Sequence, residues 1–156
     1  MNFRPAQEQD LARVAGFATT ADELFFVHPT ATFPLTAHQL LPNFQQRKGN
    51  TVILHQDQVA GFANYINVIE GDSATIGNVI IDPAQRGRGI GKDLLTEMAR
   101  HAKASYGVTK TVIPCFNTNT AGLHFYHSLG YVPFKGEPRT DWKGDAVFLI
   151  YLSKPV

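Results

Sequence analysis

Arg86-Gly87-Arg88-Gly89-Ile90-Gly91-Lys92 carries the strongest chemical signal in this chain. Glycine at alternate positions lets backbone N–H groups come close to an anion, and the helical periodicity that begins at Ile90 adds the positive end of a helix dipole. The geometry suits a diphosphate, with Arg86, Arg88 and Lys92 beside it to meet phosphate oxygens. Spacing argues against two better-known loops. A triphosphate loop needs four residues between its glycines and a hydroxyl after its lysine, whereas Gly87 to Gly91 encloses three and Lys92 is followed by Asp93. A dinucleotide loop needs glycine where Lys92 stands and an acidic residue closing the second strand about 20 residues on, and neither is convincingly present.

Other reactive side chains are sparse. His124 and His127, three apart on a helical segment, share a face, but no third ligand has suitable spacing and no metal is expected. Cys115 is the single cysteine, which excludes an intramolecular disulfide and multi-cysteine zinc sites, and its place at the end of an apolar strand reads as inert packing. The 156 residues are 44% hydrophobic and 17% charged with net charge +1, which predicts one soluble domain over 1–156 with no electrostatic footprint for nucleic acid or membrane. The N-terminus has an arginine and a proline where an export signal would be apolar, so the expected location is cytoplasmic.

The elements that must position the loop alternate in type. Asn2–Arg4 reads as a strand and Asp10–Ala18 as a helix, with Thr19–Pro34 irregular and a capped helix opening at Thr36. Pro42 leaves the length of that helix open. Thr51–His55, Val59–Val68 and Ala74–Ile81 read as antiparallel strands. A long amphipathic helix follows the loop, then a strand at Thr109–Phe116, a helix at Thr120–Leu129 stopped by Gly130, and strands at Tyr131–Phe134 and Val147–Leu152. The fold class is α/β (α+β): a mixed, mostly antiparallel sheet with helices on both faces.

These residues resemble the GNAT family of acetyl-CoA-dependent N-acetyltransferases. The family's pyrophosphate pattern, Arg/Gln-x-x-Gly-x-Gly/Ala, is matched by Arg86, Gly89 and Gly91. Arg4-Pro5-Ala6 with Asp10, Ile81-Asp82-Pro83, Asn119, Phe125-Tyr126 and Gly130-Tyr131 match further family features in order, over nearly the whole chain. The resemblance implies a sheet splayed into a V, acetyl-CoA as co-substrate and no metal. It implies pyrophosphate held by residues 86 to 92, pantetheine paired with the backbone of Val79, Ile80 and Ile81, and cofactor contacts from Asn119 and Phe125. An N–H of Val79 or Ile80 would face the thioester carbonyl, and Tyr126 would stand near the sulfur as proton donor. Pro114, which cannot donate to a ladder, is the expected point at which the strands part.

The resemblance does not supply a general base. Several relatives carry a glutamate five residues before the asparagine, where this chain has Pro114, and Ala74–Ile81 offers only Asn78. Asp22, Glu23, His28 and a water relayed by backbone carbonyls are the candidates. Phe25, Phe26 and Phe33 are candidates for core or for an apolar acceptor pocket. The expected partner is a small-molecule or peptide amine, and the terminal strands offer edges through which family members form homodimers. The missing base keeps a second class in view, a non-catalytic acyl-CoA-binding or sensing module.

Overall fold

The computed structural model describes residues 2–156. β1 (Asn2–Pro5) leads through a 3-10 turn at Glu8–Asp10 into α1 (Leu11–Ala15), α2 (Ala21–Val27) and α3 (Ala37–Gln46). β2 (Lys48–His55), β3 (Gln58–Ile69) and β4 (Ser73–Ile81) follow, and then α4 (Ile90–Tyr106), β5 (Lys110–Phe116), α5 (Thr120–Ser128), β6 (Val132–Thr140) and β7 (Ala146–Pro155). The seven strands form one mixed sheet ordered β1-β2-β3-β4-β5-β7-β6, antiparallel everywhere except between β4 and β5.

Side chains alternate across a strand, so β3 feeds both faces of the sheet. Ala63 and Tyr65 pack with Leu94, Leu95 and Met98 of α4, whereas Phe62 packs with Leu11, Val14 and Leu40 of α1 and α3. A fully buried leucine of this kind contributes roughly 1.5–3 kcal/mol. The Tyr65 hydroxyl donates to the Met98 carbonyl at 2.6 Å, which satisfies its only polar atom inside the core.

The parallel pair sets the architecture of the site. β4 and β5 pair only over Ser73–Thr75 and Lys110–Val112, and beyond that point they part. Thr109 C=O accepts from Val156 N–H and Asn117 N–H donates to Phe148 C=O, so odd-numbered residues of β5 bond toward β7. Alternation turns the nitrogen of Pro114 toward β4, where its missing N–H would otherwise have been needed. Proline therefore sits on the side that opens, and β5 keeps its full register with β7.

Five elements differ from the sequence reading. Ala21–Val27, read as irregular, is a helix: the Thr20 hydroxyl accepts from Glu23 N–H at 3.1 Å, an N-cap whose Thr-x-x-Glu signature was present in the sequence. α3 continues through Pro42 to Gln46, and α1 is shorter than expected, stopping at Ala15. β6 and β7 run beyond the predicted strands, closed by a turn in which Asp141 Oδ1 accepts from Lys143 and Asp145 N–H groups, both at 2.9 Å. β6 is exposed on both faces and carries Pro133 and Pro138, so it lacks the apolar alternation that marks a strand.

Arg4 and Asp10 join the first strand to the first helical turn. Their side chains meet in a two-point ion pair at 2.7 and 2.9 Å, and Gln7 N–H donates to the same carboxylate at 2.7 Å. The Arg4 hydrogen bond outweighs burial and holds the nearly buried Asp10 carboxyl below its ordinary range. A carboxyl depressed in the folded state stabilises above its unfolded pKa of about 4, and that stability drains away as pH falls through the lower folded value. Asp10→Asn is expected to cost about 1–2 kcal/mol at pH 7. Urea unfolding at pH 7 and pH 3 should show the gap between variant and wild type narrowing at the acid end.

Candidate active site

The glycine loop enters α4 through two left-handed residues, Gly87 at φ 77° and Gly89 at φ 79°. A Cβ would meet nothing within 4 Å at either position, so glycine is required there by the backbone conformation and the approach stays open. Asp93 N–H donates to Gly89 C=O at 3.0 Å, and no amide from Gly87 to Lys92 donates to a protein acceptor among the described residues. These consecutive unpaired donors at the start of a helix form an anion cradle.

The loop closes one end of a groove of about 710 Å³ between β4 and the α5 segment. Val79, Ile80 and Ile81 of β4 line one wall, and Asn119, Phe125 and Tyr126 of the α5 segment line the other. Phe62 pairs with Ile80 and Asn64 with Gly77, so Asn78 and Val79 together oppose a single residue of β3. This is a β-bulge with Asn78 in the left-handed region at φ 48°. Asp82 N–H donates to Ala60 C=O at 2.8 Å, and strand alternation then turns the main-chain groups of Val79 and Ile81 into the gap and those of Ile80 toward β3. Of the three residues named from the sequence, Ile80 is thus the one with its backbone in the ladder and its side chain under α1 and α3. Gln85, which sequence reasoning passed over, also lines the groove, and its Oε1 is buried without a partner among the described residues.

Asn119 caps α5, its Oδ1 accepting from Gly122 N–H at 3.0 Å. The Asn119 Nδ2 donates to no protein group among the described residues. Tyr126 is half-buried, and its hydroxyl has no protein hydrogen-bond partner among those residues and is not sealed from the groove. Burial, reinforced by Cys115 and Tyr131, pushes its phenol above the ordinary tyrosine range. Burial also pushes the Cys115 thiol up to about 12.

The base candidates named from the sequence all have partners. Trp142 Nε1 donates to Asp22 Oδ1 at 2.8 Å, tying the tip of the β6–β7 hairpin to α2. Glu23 takes an ion pair from Arg86 at 3.0 Å and hydrogen bonds from the N–H and hydroxyl of Thr19. Burial pushes the Glu23 carboxyl up, but these bonds together hold it below its usual range. Arg86 thereby gains a protein partner that the loop's spacing did not announce. His28 is 7% exposed, its Nε2 is 3.2 Å from Asn43 Nδ2, and burial keeps it neutral by lowering its pKa. Asn43, Asn64, Asn78 and Arg47 extend this polar cluster behind the bulge, a set that no sequence motif marks. No group of three His, Cys, Asp or Glu side chains that could hold a metal occurs among the described residues, and no helix is long and apolar enough to cross a membrane.

A sheet opened on its parallel junction, with a glycine-led helix at the mouth of the opening, defines an α/β protein. The family model described as "Acetyltransferase (GNAT) family" matches residues 14–131, and the chain belongs to that family. The [ribosomal protein bS18]-alanine N-acetyltransferase of Escherichia coli (strain K12) is 26% identical over 121 residues, 75% of this chain and 80% of that protein. Mycothiol acetyltransferase of Rhodococcus erythropolis is 35% identical over 82 residues, 50% of this chain, and the match spans only 27% of that longer relative. Two solved structures share the fold. Ribosomal-protein-alanine N-acetyltransferase from Brucella melitensis has a TM-score of 0.75 at 23% identity, covering 100% of both chains. The Salmonella typhimurium protein yncA, solved with its cofactor acetyl-CoA, has a TM-score of 0.73 at 22% identity, covering 99% of this chain and 93% of that one.

Gly89→Ala, which forces a Cβ into the left-handed region, is expected to cost about 1 kcal/mol in urea unfolding. Cys115 should resist alkylation by iodoacetamide at pH 8 in the native protein and react on unfolding in urea, as the thiolate is the reactive form. Labelling of the native thiol at the unfolded rate would contradict this account of its burial.

Proposed function

We propose that residues 1–156 act as one cytoplasmic N-acetyltransferase domain that moves the acetyl group of acetyl-CoA to a primary amine of a small molecule or peptide, by direct attack in a ternary complex. The observation that carries this reading is the run of unpaired amides from Gly87 to Lys92 at the mouth of a groove that leads to an unpartnered tyrosine hydroxyl. The amides of residues 87 to 92 hold the pyrophosphate, with Arg88 and Lys92 as flanking charges. The Val79 and Ile81 backbone pairs with the pantetheine arm, and Asn119 Nδ2 is free to meet one of its amides. Phe125 packs against the arm and against Gly91, where a Cβ would come within 3.1 Å of the phenyl ring.

The amine nitrogen attacks the thioester carbonyl and the Val79 N–H steadies the oxygen as negative charge grows. Water has taken the ammonium proton before attack, so the nitrogen reacts as a neutral amine; the C–S bond then breaks, the nitrogen gives up its second proton and the thiolate takes one up, which yields an N-acetyl amine and free CoA. With its phenol raised, Tyr126 stays protonated throughout the neutral range and serves as a permanent donor to the departing sulfur. Asp22, Glu23 and His28 are engaged elsewhere, so water relayed along the groove removes the amine proton. That same engagement favours the second reading, an acyl-CoA-binding or sensing module, which predicts CoA binding without turnover.

Tyr126→Phe should lower kcat about 10- to 100-fold while KM for acetyl-CoA moves less than about threefold. The wild-type kcat profile should show no descending limb from Tyr126 below about pH 10, since a raised pKa keeps the proton on to higher pH. Acetyl-CoA binding with no CoA release across a broad panel of amines and N-terminal peptides would refute the enzyme reading in favour of the module.

A further inference from the structure

Resting on the acetyl-transfer reading, we infer that Asn78 is a positioning residue: its side-chain amide fixes the peptide that joins it to Val79, and so aims the Val79 N–H at the thioester carbonyl. The need for it arises from the open sheet. β4 pairs with β5 only over Ser73–Thr75, so beyond that point β4 has no strand partner on the gap side. Asn78 and Val79 also share one opposing residue on β3, because Phe62 pairs with Ile80 and Asn64 with Gly77. A peptide at such a bulge has no ladder bond to hold it toward the gap. A donor that must meet a developing oxyanion at about 2.7–3.1 Å has to be fixed beforehand.

The Asn78 carboxamide is bonded at both ends. Nδ2 donates to Val27 C=O at 2.7 Å, and Oδ1 accepts from Arg47 Nη1 at 2.8 Å and from Asn64 Nδ2 at 3.1 Å. A main-chain carbonyl only accepts and a guanidinium only donates, so the amide has one orientation. The anchors come from the end of α2, from the residue that follows α3 and from the adjacent strand β3. Asn64 is fully buried and Asn78 nearly so. Arg47 reaches Oδ1 past Gly77, where a Cβ would come within 3.2 Å of Nη1. Arg47 is half-buried and joins no ion pair among the described residues. Two destabilising features thus meet at one peptide, a left-handed asparagine and a half-buried cation without a counter-charge, and strain of this kind clusters at functional sites.

The link from this amide to the groove is covalent. The Val79 nitrogen is bonded to the carbonyl carbon of Asn78 in one planar peptide, so its N–H turns with the Asn78 backbone. With Asn78 at φ 48°, its side chain meets the ends of α2 and α3 while strand alternation turns the next N–H into the gap. Val79 lines the groove, whereas Asn78 does not and acts only through the main chain. Asparagine suits both tasks: it enters the left-handed region more readily than most residues with a Cβ, and its amide fastens what the backbone has turned. Glycine would adopt the same φ and leave the peptide unfastened.

The test uses the full chain and acetyl-CoA labelled with carbon-13 at the thioester carbonyl. In the wild type the NMR signal of the bound carbonyl is expected downfield of its position in free acetyl-CoA, as a fixed hydrogen-bond donor polarises the C=O bond. Asn78→Gly keeps the left-handed φ and removes the fastening, so the signal should return toward the free position. With a reactive amine, kcat of Asn78→Gly should fall about 10- to 100-fold while KM for acetyl-CoA moves less than about threefold. Arg47→Met leaves Asn78 in place, removes its charged donor and should shift signal and kcat the same way by less; it replaces Asn78→Gly in the test should that variant not fold. A wild-type signal at the free position, or an unmoved signal or an unmoved kcat in the variant, would overturn the inference while leaving acetyl transfer intact. Bound acetyl-CoA with no turnover of any amine would refute acetyl transfer, and a displaced signal lost in Asn78→Gly would keep the positioning role even then.

Discussion

The rest of the structure depends on the separation of two strands that begin as neighbours. β4 and β5 share three residues of parallel pairing and then diverge, which leaves main-chain groups of β4 with nothing to bond. In a closed sheet such groups would cost free energy, so the divergence has to be built in from both sides. On β5 the nitrogen turned toward the gap belongs to Pro114 and carries no proton, while on β4 the bulge at Asn78–Val79 turns the strand away. The sheet remains continuous because β5 leans on β7 along its whole length.

Holding a non-glycine residue in the left-handed region costs of order 1 kcal/mol, and Asn78 is held there by its own side chain. Its amide spans Val27 C=O on one side and Arg47 and Asn64 on the other. This fastens the end of α2, the end of α3 and the two central strands to one another behind the gap. Network and groove thus meet at Val27, whose carbonyl the network holds, and at Val79, which follows Asn78 in the bulge.

Much of this was legible in the sequence. The glycine loop declared itself because its conformation is a backbone property: glycine at positions 87 and 89 leaves a trace in residue type whenever φ must be positive. The sequence reading names Asn119 as a cofactor contact and Arg4 with Asp10 as a family feature, and the structure adds that Asn119 caps α5 and that Arg4 pairs with Asp10. α2 was missed although Thr20 and Glu23 carried a start signal, because its aromatic run looked irregular. The far half of β6 was missed because a strand exposed on both faces has no apolar period to detect.

The sequence alone determined the family, the glycine loop and the alternation of strand and helix, all of which are short-range patterns of residue type. Tertiary structure decided which side chains are free to act. Glu23 reads as an available carboxylate until Arg86, 63 residues away, is brought against it. Asp22 meets Trp142 across 120 residues, whereas Arg47 ends with one edge of its guanidinium unpaired. Whether a charge is neutralised depends on distances of a few ångströms between remote segments, and no local spacing records them.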